Sequence, residues 1–176
     1  MHELLESNPD VKLIWRAFEL RPEPVPMIDP NSEYLQRVWS DSVSPLAKRL
    51  GVTMRFPLVK PRTRVAHEAA HWARAQGRFE DYHNEIFRAY FERGEDIGDV
   101  DALIALAEKL GLDSNSLRKA LINHEFAESV IVDEDEAAHL GVSGVPAFVA
   151  NRKAALSGVQ PVENLRKLIA SVRGGR

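Results

Sequence analysis

"GVSGVPAFVANRKAALSG", Gly141 to Gly158, is the stretch whose reading decides the fold. Ala147–Ala150 is a short apolar run that begins directly after Pro146 and ends in a turn. Ala154–Leu156 is a second such run, so the two read as a strand hairpin. Gly158 and Pro161 then punctuate the start of a helix that runs to about Val172. On local pattern alone, Pro146 is a trans proline at a strand's first residue, where a missing N–H does no harm. Only about one X-Pro bond in twenty is cis in folded proteins.

Upstream, the spacing of apolar residues predicts helices over most of the chain. Leu4–Asn8 reads as the tail of a helix closed by Asn8-Pro9. Val11–Leu20, rich in β-branched and aromatic residues, reads as a strand. "RPEPVPMIDP", Arg21–Pro30, is a proline-rich linker. Asn31–Leu50 is helical with an interruption near Pro45 and a stop at Gly51, and Val52–Pro61 is loop or weak strand. Helices follow at Arg64–Gln76, Phe79–Arg93 and Val100–Leu110, then a short one capped by Ser114, then His124–Leu140. The Gly174-Gly175-Arg176 end reads as frayed. The order is strand, helix-rich middle, hairpin and helix, which is an α/β or α+β domain with a helical insertion.

Totals narrow the function. The chain has 176 residues, 44% hydrophobic and 28% charged, with a formal charge of −3. That balance gives no reason to expect nucleic acid or an anionic membrane as a partner. No apolar run reaches the roughly 18 residues of a membrane span. The start, "MHELLESNPD", carries no export signal, so the expected compartment is the cytoplasm. With no cysteine in the sequence, disulfides, thiolate nucleophiles and thiolate metal sites are all absent.

Three stretches in order resemble one family. "GVSGVPAFVANRKAALSGVQPVENLRKLI", "WRAFELRPE" and "HEAAHWARAQGRFEDYHNEIFRAYFERGEDI" look like the DsbA-type thioredoxin-like proteins, nearest their FrnE branch. The resemblance covers nearly the whole chain. It implies an α/β thioredoxin-like domain made of residues 1–61 and 139–176, with an inserted all-helical subdomain at 62–138. It also implies a cis Val145–Pro146 bond whose neighbouring backbone, Val145 and Pro146, pairs with a bound peptide or protein substrate.

The same resemblance exposes a departure. The family's first, central strand leads into a Cys-x-x-Cys motif, and Met1–Ser7 aligns with the helix after it, so strand and motif are both missing here. A buried unpaired backbone group costs about 1–3 kcal/mol, so the sheet needs another neighbour. Three remedies are open: the chain is part of a longer protein that carries the strand and the Cys-x-x-Cys dithiol, a partner copy supplies the pairing, or the sheet rearranges. For these residues alone a homo-oligomer or a rearranged sheet is expected. A related isomerase group, acting on 2-hydroxychromene-2-carboxylate, uses a serine at that same missing position, so it gains no support.

His67-Glu68-Ala69-Ala70-His71 matches the H-E-x-x-H pattern of zinc proteases. Four residues apart on a helix, His67 and His71 share a face and could reach one metal, with Glu68 as base on bound water. The extensions fail, because Arg74 and Gly77 stand where a glycine and a third histidine are needed, and Glu92 and Glu95 sit in no motif. Ala66, Ala69, Ala70 and Ala73 read instead as a small-residue packing stripe, and no metal or other cofactor is expected. The acidic run Asp133–Glu136 reads as a solvated helix face, Arg62 and Arg64 as solvated surface, and Trp15, Trp39 and Trp72 as core or interface packing.

The expectation is therefore a DsbA/FrnE-type protein related to thiol-disulfide oxidoreductases but without redox chemistry of its own. A non-catalytic binding or assembly module that uses the cis-proline groove stands beside it, and a zinc hydrolase stands further off.

Overall fold

The computed structural model describes residues 2–173, so the C-terminal Gly-Gly-Arg lies outside the described residues. The fold is helix-rich, with one small antiparallel sheet among the described residues. The chain separates into two compact units. One comprises the residues up to Leu20 and those from Ile131 onward; the other is Arg21–Val130.

In the second unit, α2 (Glu33–Val38) starts where the Ser32 side chain accepts a hydrogen bond from Leu35 N–H. A π-helical turn, Trp39–Val43, joins it to α3 (Ser44–Leu50). Pro45 explains the wide turn, because its ring would clash with the Asp41 carbonyl in an unbroken α-helix. The core lies among α4 (Arg64–Ala75), α5 (Phe79–Phe87), α6 (Val100–Lys109) and α7 (Ser114–Ile122). Ala69, Ala73 and Ala107 let these helices approach closely, and Trp72 and Tyr82 meet edge to face at 6.2 Å between ring centroids. Both polar tips are satisfied, Trp72 Nε1 donating to Ser116 Oγ at 3.2 Å and Tyr82 Oη to the Leu103 carbonyl at 2.7 Å. Asp113, not Ser114, caps α7, its carboxylate accepting from Ser116 N–H. The helix expected from Phe79 to Arg93 ends as a π-helical turn over Arg88–Arg93.

Buried Glu85 ties that turn to α6. Its carboxylate lies 2.6 Å from Lys109 Nζ and 3.0 Å from an Arg93 guanidinium nitrogen. Burial alone would raise its pKa, but the Lys109 hydrogen bond and the Arg93 and Lys109 charges hold it below its ordinary value. Arg62 is not the solvated residue expected. Its guanidinium donates to the carbonyls of Arg21 at 3.0 Å and Val25 at 3.2 Å and pairs with Glu23 at 3.3 Å. It thereby clasps the proline-rich segment. At Gly98 the chain comes so close that a Cβ would meet Pro61 Cβ at 2.8 Å. Arg62→Ala is expected to cost about 1–2 kcal/mol, since part of the side chain is already solvated. Faster amide exchange at Val25, whose N–H bonds to the Pro22 carbonyl, is the measurement that checks it.

In the first unit, α1 (His2–Glu6) lies on α9 (Val162–Arg173), with Leu4 and Leu165 buried and Arg166 paired to Glu3 at 2.8 Å. Arg173 bonds Asn8 and pairs with Asp10. The strand expected over Val11–Leu20 does not form. A strand is a pairing property, and β1 (Ala147–Ala150) and β2 (Ala154–Ser157) pair only with each other among the described residues. The unit boundary falls within α8 (Ala127–His139), which starts later than expected because His124 adopts a left-handed φ of 52°. No described helix is long and apolar enough to cross a membrane.

Candidate functional site

The hairpin edge at Val145–Pro146 is built by local punctuation. Gly141, at φ 71°, lets the chain leave α8 in a conformation other residues avoid. The Val145–Pro146 peptide is cis, as is Glu23–Pro24. The turn between β1 and β2 holds Asn151 and Arg152 at φ 48° and 57°, and the Arg152 guanidinium reaches Glu136 at 2.8 Å. α9 packs on both strands.

One hydrogen bond fixes which way each backbone group points. Gly158 N–H donates to the Pro146 carbonyl at 2.8 Å, continuing the register in which Phe148 faces Leu156 and Ala150 faces Ala154. In an antiparallel pair a residue's N–H and C=O lie on the same side and alternate residue by residue. Pro146, Phe148 and Ala150 therefore address β2. Ala147 and Val149 address the opposite edge, where no other strand lies among the described residues; Val145 stands just before β1, across the cis bond. Val145 and Val149 are also exposed, at 49% and 38%. The edge can therefore pair with an extended backbone, and it carries no nucleophile.

The acidic run on α8 is a second site that sequence reasoning misjudged. Asp133 is 2% exposed rather than solvated. It accepts from an Arg16 guanidinium nitrogen at 2.8 Å and from Ala17 N–H at 2.8 Å. Glu134 accepts from Glu19 N–H at 3.1 Å, and Glu136 lies 3.5 Å from Arg16. These carboxylates take donors that a neighbouring strand would otherwise take. The signal was available: Phe126, Val130, Asp133 and Ala137 share helical spacing, which puts Asp133 on an apolar face.

The histidine pattern on α4 does not become a metal site. His67 and His71 are half-buried, while Glu68 is buried with its Oε1 3.7 Å from His124 Nδ1. A catalytic zinc needs three protein ligands, and no group of three His, Cys, Asp or Glu among the described residues could hold a metal ion. The alanine stripe packs as expected, with Ala69 and Ala73 fully buried. Of the tryptophans, Trp72 is core, Trp39 meets Phe56 edge-on at 5.6 Å, and Trp15 is 39% exposed.

Comparison with known proteins decides the family. The DSBA-like thioredoxin domain matches residues 1–170. The chain belongs to that family. It is 39% identical over 122 residues to the uncharacterized protein YwbO of Bacillus subtilis, a match covering 68% of this chain and 61% of that protein. The structure resembles that of a probable DsbA oxidoreductase from Streptomyces coelicolor, with a TM-score of 0.80 and 27% identity. That match covers 99% of this chain and 82% of the other. A 2-hydroxychromene-2-carboxylate isomerase shares the fold, at TM-score 0.72 and 18% identity over 98% of this chain and 85% of that one. This DSBA-like chain departs from thiol chemistry in one respect, for it has no cysteine.

Proposed function

We propose that this DSBA-like chain binds extended polypeptide by adding it as a strand to the outer edge of β1, at Val145, Ala147 and Val149, without exchanging disulfides. The observation that carries this reading is the phase of the hairpin. The Gly158–Pro146 bond sets the phase that turns the N–H and C=O groups of Ala147 and Val149 away from β2. Backbone pairing of this kind gives affinity with little sequence demand, and the flanking Val145 and Val149 side chains add apolar contact. Disulfide exchange needs a thiolate to attack, and this chain has no thiol. These 176 residues would thus hold a polypeptide without a thiol of their own to react with it.

Amide exchange on the free protein and with a short Val/Thr-rich peptide tests this. Ala147 and Val149 N–H should slow when peptide is added, while Phe148 and Ala150, already turned to β2, should change little. Peptide that binds while Ala147 and Val149 exchange at their free rate would place the site elsewhere and overturn the reading.

A further inference from the structure

We infer that the turn closing α3, Lys48–Thr53, is a docking tip for the surface of an anionic phospholipid bilayer. The whole-chain charge of −3 conceals a local excess of the opposite sign. From Ser42 to His67 the sequence holds six lysines and arginines and no aspartate or glutamate. Arg62 is committed to the proline-rich segment, and Lys60 and Arg64 are half-buried. Lys48, Arg49 and Arg55 are exposed and form no ion pair among the described residues. Between them stand Leu50 and Val52, 55% and 52% exposed. The backbone makes these residues one tip. Gly51, at φ 65°, ends α3 and turns the chain, and Val52 N–H returns to the Ala47 carbonyl at 2.9 Å. Every residue from Lys48 to Thr53 is exposed. Behind the tip, Arg55 N–H donates to the Phe91 carbonyl at 2.7 Å and anchors the chain to the π-helical turn.

The chemistry of the tip selects a bilayer among anionic surfaces. Phosphate and carboxylate head groups suit Lys48, Arg49 and Arg55, and the boundary of the acyl chains suits Leu50 and Val52. Each lysine or arginine close to an anionic leaflet strengthens binding about fivefold, and each aliphatic side chain adds to this by leaving water. Nucleic acid fits less well. Single strands stack their bases on aromatic rings, whereas the rings nearest the tip in sequence, Trp39 and Phe56, are half-buried and meet each other edge to face at 5.6 Å. An acidic protein would need a pocket shaped for two side chains that stand out from a turn. A fluid lipid surface needs none. The turn itself is unobstructed, with nothing beyond its chain neighbours within 4 Å of where a Cβ on Gly51 would lie.

Flotation of the full chain with vesicles of phosphatidylcholine, alone or mixed with phosphatidylserine, tests this. At low salt the protein should float with the mixed vesicles, stay behind with pure phosphatidylcholine, and be released as salt is raised. K48Q/R49Q removes two charges and should weaken binding at least about tenfold. L50S/V52S should weaken it severalfold and keep the preference for mixed vesicles. I122S, at an exposed apolar residue of α7, should bind as the native protein does. Equal helical circular dichroism shows that folding is intact, and the comparison of the two vesicles needs no variant at all. Absence of flotation with mixed vesicles at low salt, or equal flotation with both kinds, overturns the inference. Binding that L50S/V52S leaves undiminished and a short RNA displaces would make the tip a site for any polyanion, which also overturns it. So would equal losses in I122S and L50S/V52S, the mark of apolar adhesion at any exposed residue.

Discussion

Asp133→Ala is expected to lower the stability of the protein by about 2–4 kcal/mol. The carboxylate is buried and holds two donors at 2.8 Å, the Arg16 guanidinium and the Ala17 N–H. Their losses are unequal. The Arg16 side chain is 48% exposed, so it re-solvates when its partner goes, and that pair is worth at most about 1 kcal/mol. Ala17 is 6% exposed, and its N–H would be left without an acceptor in the interior, a cost of about 1–3 kcal/mol. Asp133→Asn separates the two contributions, because the amide oxygen still accepts from Ala17 while the charge is gone. Urea unfolding of both variants should rank alanine well below asparagine, with asparagine no more than about 1 kcal/mol below the native protein. Equal losses in the two variants would show that charge, not the backbone donor, is what Asp133 serves.

That residue also marks where sequence reading stops. The hairpin and the helices were legible because each is local. Period 3.6 in α4 to α7, stops at Gly51, Gly77 and Gly111, and a proline before an apolar run all act within a few residues. Val11–Leu20 has the composition of a strand and is none, because a strand exists only beside another and composition carries no record of the neighbour. Asp133 and Arg62 look solvated in the sequence for the same reason: their partners lie 116 to 117 and 37 to 41 residues away. The edge was half legible. Val145 and Pro146 were singled out from a resemblance, but the extension to Ala147 and Val149 follows from a hydrogen-bond phase that only a register reveals. The H-E-x-x-H pattern shows the opposite failure, a local match with the right spacing and no third ligand beside it among the described residues.

Acid should destabilise the second unit through His83, and His83→Phe should remove that sensitivity. The imidazole stacks on Phe79 with centroids 4.9 Å apart and leans on Phe87 at 4.6 Å, while the Arg74 guanidinium sits 4.3 Å above the Phe79 ring. Burial, with the His67 and Arg74 charges adding to it, pushes the His83 pKa down to about 4 from its ordinary 6.5. The folded state therefore prefers the neutral ring, and the unfolded chain takes up the proton first. Its contribution to stability is complete above about pH 6.5, is lost as pH falls from 6.5 toward 4, and has no further to fall below that. Full burial would make the loss about 3 kcal/mol, and the ring's partial exposure reduces it to roughly 2 kcal/mol. Phenylalanine keeps the stack on Phe79 and Phe87 and cannot titrate. Urea unfolding of both proteins at pH 7 and pH 4.5 gives the comparison, in which carboxylate effects such as that of Glu85 cancel. The native protein should lose more than the variant over that interval by most of the 2 kcal/mol. Parallel losses would mean that protonated His83 is tolerated between its aromatic neighbours, with the acid sensitivity residing elsewhere in the fold.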